Sequence, residues 1–168
     1  LGDRKITFSG DLGRYNCPVM CPPDSVPSTD YLVVESTYGN SVHPDEDPEY
    51  ILEDVIQRTI QRDGTVIVPS FAVGRAQTLL YRLYRLRKSN RIPPVPIFLD
   101  SPMAIDASEL FSRQEGGSRL TRDEAREVCA TAQYIREAEA SDRVVADMTP
   151  KIVLSASGMA TGGRVLDY

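Results

Sequence analysis

Short runs of β-branched and aromatic residues bounded by turn residues alternate along the chain with stretches whose apolar positions recur every three to four residues. The runs predict strands at Lys5 to Ser9, Tyr31 to Glu35, Thr65 to Pro69, Val95 to Asp100 and Lys151 to Ala156. Most are continuously apolar, which is how strands covered on both faces read, so a largely parallel sheet between helices is expected in preference to a sandwich. Pro48 stands where a first helical turn tolerates proline, and Leu52, Val55, Ile56, Thr59 and Ile60 follow at helical spacing until Asp63-Gly64 stops the run. Ala76, Leu79, Leu80, Leu83 and Leu86 repeat the pattern with Arg82, Arg85 and Lys88 on the other side, and the prolines between Asn90 and Pro96 end it. Thr121 with Glu124 forms a capping box that opens a helix of roughly ten residues. Pro18, Pro22, Pro23 and Pro27 make Asn16 to Thr29 an irregular connection. Strands and helices in this order describe an α/β, Rossmann-like layer from about residue 31 onward, with helices on both faces of a mostly parallel sheet.

With 168 residues and a 41% apolar share, the chain is long enough for one domain with a real core. A net charge of -5 argues against a module that holds nucleic acid by bulk charge and leaves room for a local basic face. Charge is segregated: six basic residues and no acid lie between Arg75 and Leu99, while six acids and no Lys or Arg lie between Val42 and Asp54. These read as two solvated helix faces, with a basic guide for nucleic acid as the alternative. No apolar stretch approaches the ~20 residues of a membrane span and the start lacks the pattern of a signal peptide, so a soluble, cytoplasmic chain without a membrane partner is expected. Cys17, Cys21 and Cys129 are too few for a disulfide scaffold. Cys17 and Cys21 lack the second pair that a structural zinc site requires and read as reduced thiols. The one histidine, His43, taken alone reads as a surface residue, because Pro44 and an acidic run follow it.

In open parallel sheets ligands bind beyond the carboxyl ends of the strands, which makes the residues after each strand the candidates for chemistry. Ser9-Gly10-Asp11-Leu12-Gly13-Arg14 sets an acid between glycines. Asp11 reads either as a metal ligand projecting from a strand end or as a turn aspartate bonding its own backbone. Glu35 leaves the second strand ahead of Ser36-Thr37-Tyr38-Gly39, as a strand-tip carboxylate or as a cap or surface ion-pair partner. Pro69-Ser70-Phe71-Ala72-Val73-Gly74-Arg75-Ala76-Gln77 leads from a strand into a helix start, where backbone N–H groups favour anions and Arg75 adds a two-pronged donor for phosphate. A local ion pair of Arg75 with Glu35 or Asp100 competes with that role. The glycine spacing and the missing Lys-Ser/Thr ending exclude a Walker A loop. Ser155 to Arg164 is a loop of small residues that lets backbone approach a ligand closely, and Asp100-Ser101-Pro102-Met103-Ala104 adds a further hydroxyl. Loops of this kind converging on one edge favour a phosphate-bearing ligand.

Together these blocks resemble the metallo-β-lactamase superfamily and, within it, the β-CASP branch of nucleases that process RNA and DNA. Phe8 to Gly13 is similar to that family's fourth metal motif, and Glu35 to Gly39 followed by His43 to its motif A. The blocks at Pro69 to Gln77, Leu99 to Ala104 and Ser155 to Arg164 are similar to the inserted β-CASP cassette. The resemblance implies a metallo-β-lactamase-like segment at 1–39, comprising the last strands of that half, and a cassette at 40–168. It further implies Asp11 as the carboxylate bridging two zinc ions and Glu35 as the motif A acid that orients a catalytic histidine. Arg75, Ser70, Ser101, Ser157 and Gly158 would line a cleft for single-stranded RNA. The implied chemistry is attack of zinc-activated water on a phosphodiester. The family's His-x-His-x-Asp-His cluster and its motif B and C histidines are not in this sequence. The expectation is therefore a fragment of a larger hydrolase, inactive alone, with zinc absent from it and with apolar surface through which it could form a homo-oligomer. A non-catalytic pseudo-enzyme that binds RNA or a partner is the alternative.

Overall fold

The computed structural model describes residues 2–42, 44–113 and 116–168. It contains two separate parallel sheets. In the smaller, β1 (Ile6–Phe8) pairs with β2 (Tyr31–Val33) in the register Ile6 to Tyr31 and Phe8 to Val33. The larger has four strands, β3 (Thr65–Pro69), β4 (Ile97–Asp100), β5 (Gln133–Tyr134) and β6 (Lys151–Ser155), in the spatial order β3-β6-β4-β5. The Rossmann-like layer therefore begins at residue 65 and not near 31, because the strand at Tyr31 pairs with the one at Ile6.

The central strand β6 is buried at all five positions, as its unbroken apolar run requires when both faces are covered. One face of the sheet presents Val66, Ile97, Leu99, Ile152 and Leu154 to the main core. Ile56 from helix α1 (Pro48–Ile60), Leu80, Leu83 and Leu86 from α2 (Arg75–Lys88), Ala104 and Ile105 from α3 (Pro102–Arg113) and Val128 from α4 (Arg122–Cys129) fill that core. Asp100 points to the opposite face, where Ser141 of α5 (Ala138–Ala146) donates to its carboxylate, so α5 covers that side.

Local signals set the helix starts. Asp47 caps α1 by accepting from the Glu49 amide at 2.9 Å, with Pro48 in the first turn. Thr121 and Glu124 close a reciprocal capping box on α4, which runs for eight residues. The proline-rich connection is irregular, yet it is anchored: Val19 is fully buried beside Phe111, Ala125 and Cys129, and Met20 bridges to Ser118. Among the described residues no helix is long and apolar enough to cross a membrane.

The strand at Tyr31 departs from expectation in a second way. Its apolar run predicts cover on both faces, whereas Tyr31, Leu32, Val33 and Val34 are each about half exposed, between 49% and 54%. A two-stranded sheet has no layer of its own to bury such residues against. The acidic and basic runs also differ from two solvated faces. Glu49 of α1 is 5% exposed and faces Arg85 at 3.1 Å, Arg91 at 3.6 Å and Arg82 at 3.7 Å, so the two runs meet each other.

Candidate functional site

Strands β3, β6 and β4 end in register, with Pro69 opposite Ser155 and Ser155 opposite Asp100. Ser70, Ala156 and Ser101 consequently leave the sheet side by side, and three of the candidate loops share one carboxyl edge, where parallel sheets bind ligands. Two of them touch. A Cβ on Gly158 would lie 2.8 Å from a ring carbon of Phe71 and 2.9 Å from the Phe71 amide nitrogen. Only glycine allows this approach, which seats the loop after β6 on the turn after β3.

That turn is held from within. Gln77 is 3% exposed; its Oε1 accepts from the Gly74 amide at 2.7 Å, and its Nε2 donates to Ser108 Oγ at 2.9 Å and to the Ala72 carbonyl at 3.2 Å. Gly74 caps α2 at φ +76, a left-handed conformation that glycine adopts without strain. The next residue, Arg75, opens this fourteen-residue helix with an exposed side chain. Its guanidinium has no hydrogen bond or ion pair among the described residues, and the first turn carries no acid. The other basic residues of the same run are engaged. Arg82, Arg85 and Arg91 face Glu49, Arg87 donates to the Val95 and Thr131 carbonyls, and Lys88 meets Glu127.

Neither competing ion pair for Arg75 forms, because both acids are taken. Asp100 is fully buried and pairs with Arg164 at 2.6 Å, while its second oxygen accepts from Ser141 Oγ at 2.5 Å and from the Tyr168 hydroxyl at 2.9 Å. Glu35 accepts from the Thr37 amide at 2.9 Å and the Leu12 amide at 3.4 Å. The bonds from Thr37, then that from Leu12, hold its carboxyl below the ordinary glutamate range.

The serines at the edge differ in reach. Ser70 is 4% exposed; its amide extends the ladder to the Ser155 carbonyl and its hydroxyl donates to the Phe71 carbonyl. Ser101 is 3% exposed and accepts from the Ala104 amide at the start of α3. Ser157 is half-buried, and its amide closes the loop on Gly162 at 3.1 Å.

Asp11 and Glu35 belong to the other sheet, just past the aligned ends Phe8 and Val33. The Leu12–Glu35 bond and a bond from the Glu35 amide to Ser9 Oγ at 2.9 Å join the two motifs directly. Asp11 itself is exposed, with no partner for its carboxylate among the described residues. His43 lies outside them. Among the described residues no three His, Cys, Asp or Glu side chains gather as metal ligands. A zinc site takes about four such donors, so Asp11 and its described neighbours do not fit a zinc pair by themselves.

Gln77, Ser108, Ser141 and Tyr168 are not singled out by sequence reasoning. Gln77 had a readable signal, a glutamine three residues after the helix cap. The partners of Asp100 had none, since Ser141, Arg164 and Tyr168 are 41, 64 and 68 residues away.

Comparison with known proteins agrees with this geometry. The model of the Beta-Casp domain matches residues 76–168, more than half of the chain. Ribonuclease TTHA0252 of Thermus thermophilus is 33% identical over 98% of this chain and 39% of its own length. An RNase J-like protein of Methanocaldococcus jannaschii is 30% identical over 98% of this chain and 40% of its own. Transcription termination factor FttA of Methanosarcina mazei is 28% identical over 99% and 28%. The chain thus spans two-fifths or less of the length of these relatives. A parallel sheet with glycine-seated loops at its carboxyl edge and a domain match over 76–168 together assign this chain to the Beta-Casp family.

Proposed function

We propose that this chain supplies the RNA-binding cassette of a β-CASP ribonuclease, and that the edge formed by the turn after β3 and the loop after β6 takes a backbone phosphate of single-stranded RNA. Arg75 carries this reading. A cation at a helix N-terminus is opposed by the helix dipole, and here no acid compensates it. A phosphate oxygen placed there would satisfy the guanidinium and lie at the positive end of the helix dipole. The names of the relatives, two of them ribonucleases, support RNA as the source of that phosphate.

Zinc-dependent hydrolysis is the finer part of the proposal. In it Asp11 is one oxygen ligand, Glu35 is the acid that holds the Asp11 loop in place, and the remaining metal ligands lie beyond the described residues. The chain alone is then expected to keep no zinc pair and to cut no RNA. Cytoplasmic placement, supported by three free thiols, and self-association through the half-exposed residues of β2 complete the reading.

The test is fluorescence anisotropy with a labelled oligoribonucleotide at several salt concentrations. Arg75→Ala should weaken binding about tenfold and reduce the slope of log K against log salt by about 0.7, the loss of one phosphate contact on a single strand. Unchanged affinity and slope would remove Arg75 from the RNA path.

A further inference from the structure

The guanidinium of Arg164 reaches the ends of two strands at once, β4 and β5. Nη1 contacts Oδ1 of Asp100, the last residue of β4, at 2.6 Å and the Ile135 carbonyl, just past β5, at 3.4 Å, while Nη2 donates to the Arg136 carbonyl at 3.0 Å. Arg164 itself leaves the loop after β6, whose base is closed by Ser157 to Gly162 at 3.1 Å and by Val165 to Ala156 at 2.8 Å. Its fully buried partner Asp100 is held on the other oxygen by Ser141 and Tyr168. The two ends of this assembly are a rigid strand end and a loop seated through Gly158 on Phe71, four residues before Arg75.

We propose that Asp100 and Arg164 are positioning residues: their ion pair, buried at Asp100 and partly buried at Arg164, holds the 156–163 loop against the Phe71 turn and so sets how the loop lies along the edge that carries Arg75. Three of the five N–H donors of Arg164 go to Asp100 and two carbonyls, which fixes the guanidinium at the base of the loop. Lysine at 164 would keep the charge but lose the planar fork that spans three acceptors. The consequence for ligand rests on the RNA reading above; the consequence for the loop does not.

The experiment uses this chain with Arg164→Lys and Tyr168→Phe, following amide hydrogen exchange together with anisotropy on the same labelled oligoribonucleotide. For Arg164→Lys, exchange across 156–163 should rise about tenfold while the Ile152 to Leu154 amides stay protected. RNA affinity should fall about tenfold with an unchanged salt slope, since no phosphate contact is removed. A slope reduced as in Arg75→Ala would mean that Arg164 grips phosphate directly and would overturn the positioning role. Unchanged loop exchange would overturn it as well. If the loop loosens but neither wild type nor variant binds the oligoribonucleotide, the positioning role stands and the RNA reading fails. Should Arg164→Lys not fold, Tyr168→Phe removes one hydroxyl from Asp100 and decides the matter: loop exchange rises severalfold, or the latch is refuted.

Discussion

Glu35 shows how a single side chain joins two sequence motifs. Its carboxylate is held below the ordinary value of 4.5 by the Thr37 bonds and, less strongly, by the Leu12 amide. The folded value is thus the depressed one. The contribution of these bonds is fully present above pH 4.5 and is lost as pH falls through the lower folded value. Nuclear magnetic resonance of the Leu12 and Thr37 amides should show a shared titration with a midpoint below 4.5; a midpoint at or above it would mean that the clasp on the Asp11 loop is not formed. Gly158 acts at the same scale by steric means, since any Cβ there collides with Phe71 and would push the two loops apart.

Helices α1 and α2 are joined by contacts of two kinds, apolar and ionic, with different energetic weight. Leu83 is fully buried in the main core, and Leu83→Ala should cost about 3 kcal/mol through lost burial and a residual cavity. Glu49 is nearly buried, but Arg85 is about half exposed, so water and salt screen part of the cluster. Glu49→Gln should therefore cost about 1–2 kcal/mol, less than the loss of a fully buried charge partner. Urea unfolding in low and high salt separates the two, because raising salt shrinks the Glu49 effect and leaves the Leu83 effect in place. The same pairing engages Arg82, Arg85 and Arg91, and with Arg87 and Lys88 bonded elsewhere it leaves Arg75 as the residue of the basic run with no partner among the described residues.

Stability is uneven across the whole molecule. Strand β6 is buried throughout and flanked on both sides, whereas β1 and β2 pair only with each other and expose their apolar residues. Native-state hydrogen exchange should find the Thr7 and Leu32 amides exchanging at least 100-fold faster than Ile152 to Leu154, as about 3 kcal/mol of differential protection implies. Equal protection would show that the small sheet is covered in solution. The contrast places one exposed apolar surface, formed by Ile6, Phe8 and Tyr31 to Val34, on the sheet that carries Asp11 and Glu35.

Much of the architecture was legible in the sequence because its causes are local. Apolar runs marked five strands, helical spacing marked α1 and α2, and the Thr121–Glu124 box marked α4, each within a few residues of its position in the structure. The two-residue β5 was too short to show a period, and nine-residue α5 buries only Ser141 and Val144, too few apolar positions to mark a repeat. The Asp11 and Glu35 motifs and the loops after β3 and β6 were visible as strings of particular residue types. Only the tertiary structure decided which of these residues are free and which are spoken for. Ser70 and Ser101 turn to backbone, Asp100 takes Arg164 in place of Arg75, and the acidic and basic runs neutralise each other. The physical reason is range: helix and strand preferences act over a few residues, whereas the partner of a charge is whatever the folded chain brings within about 4 Å, here from as far as 64 residues away.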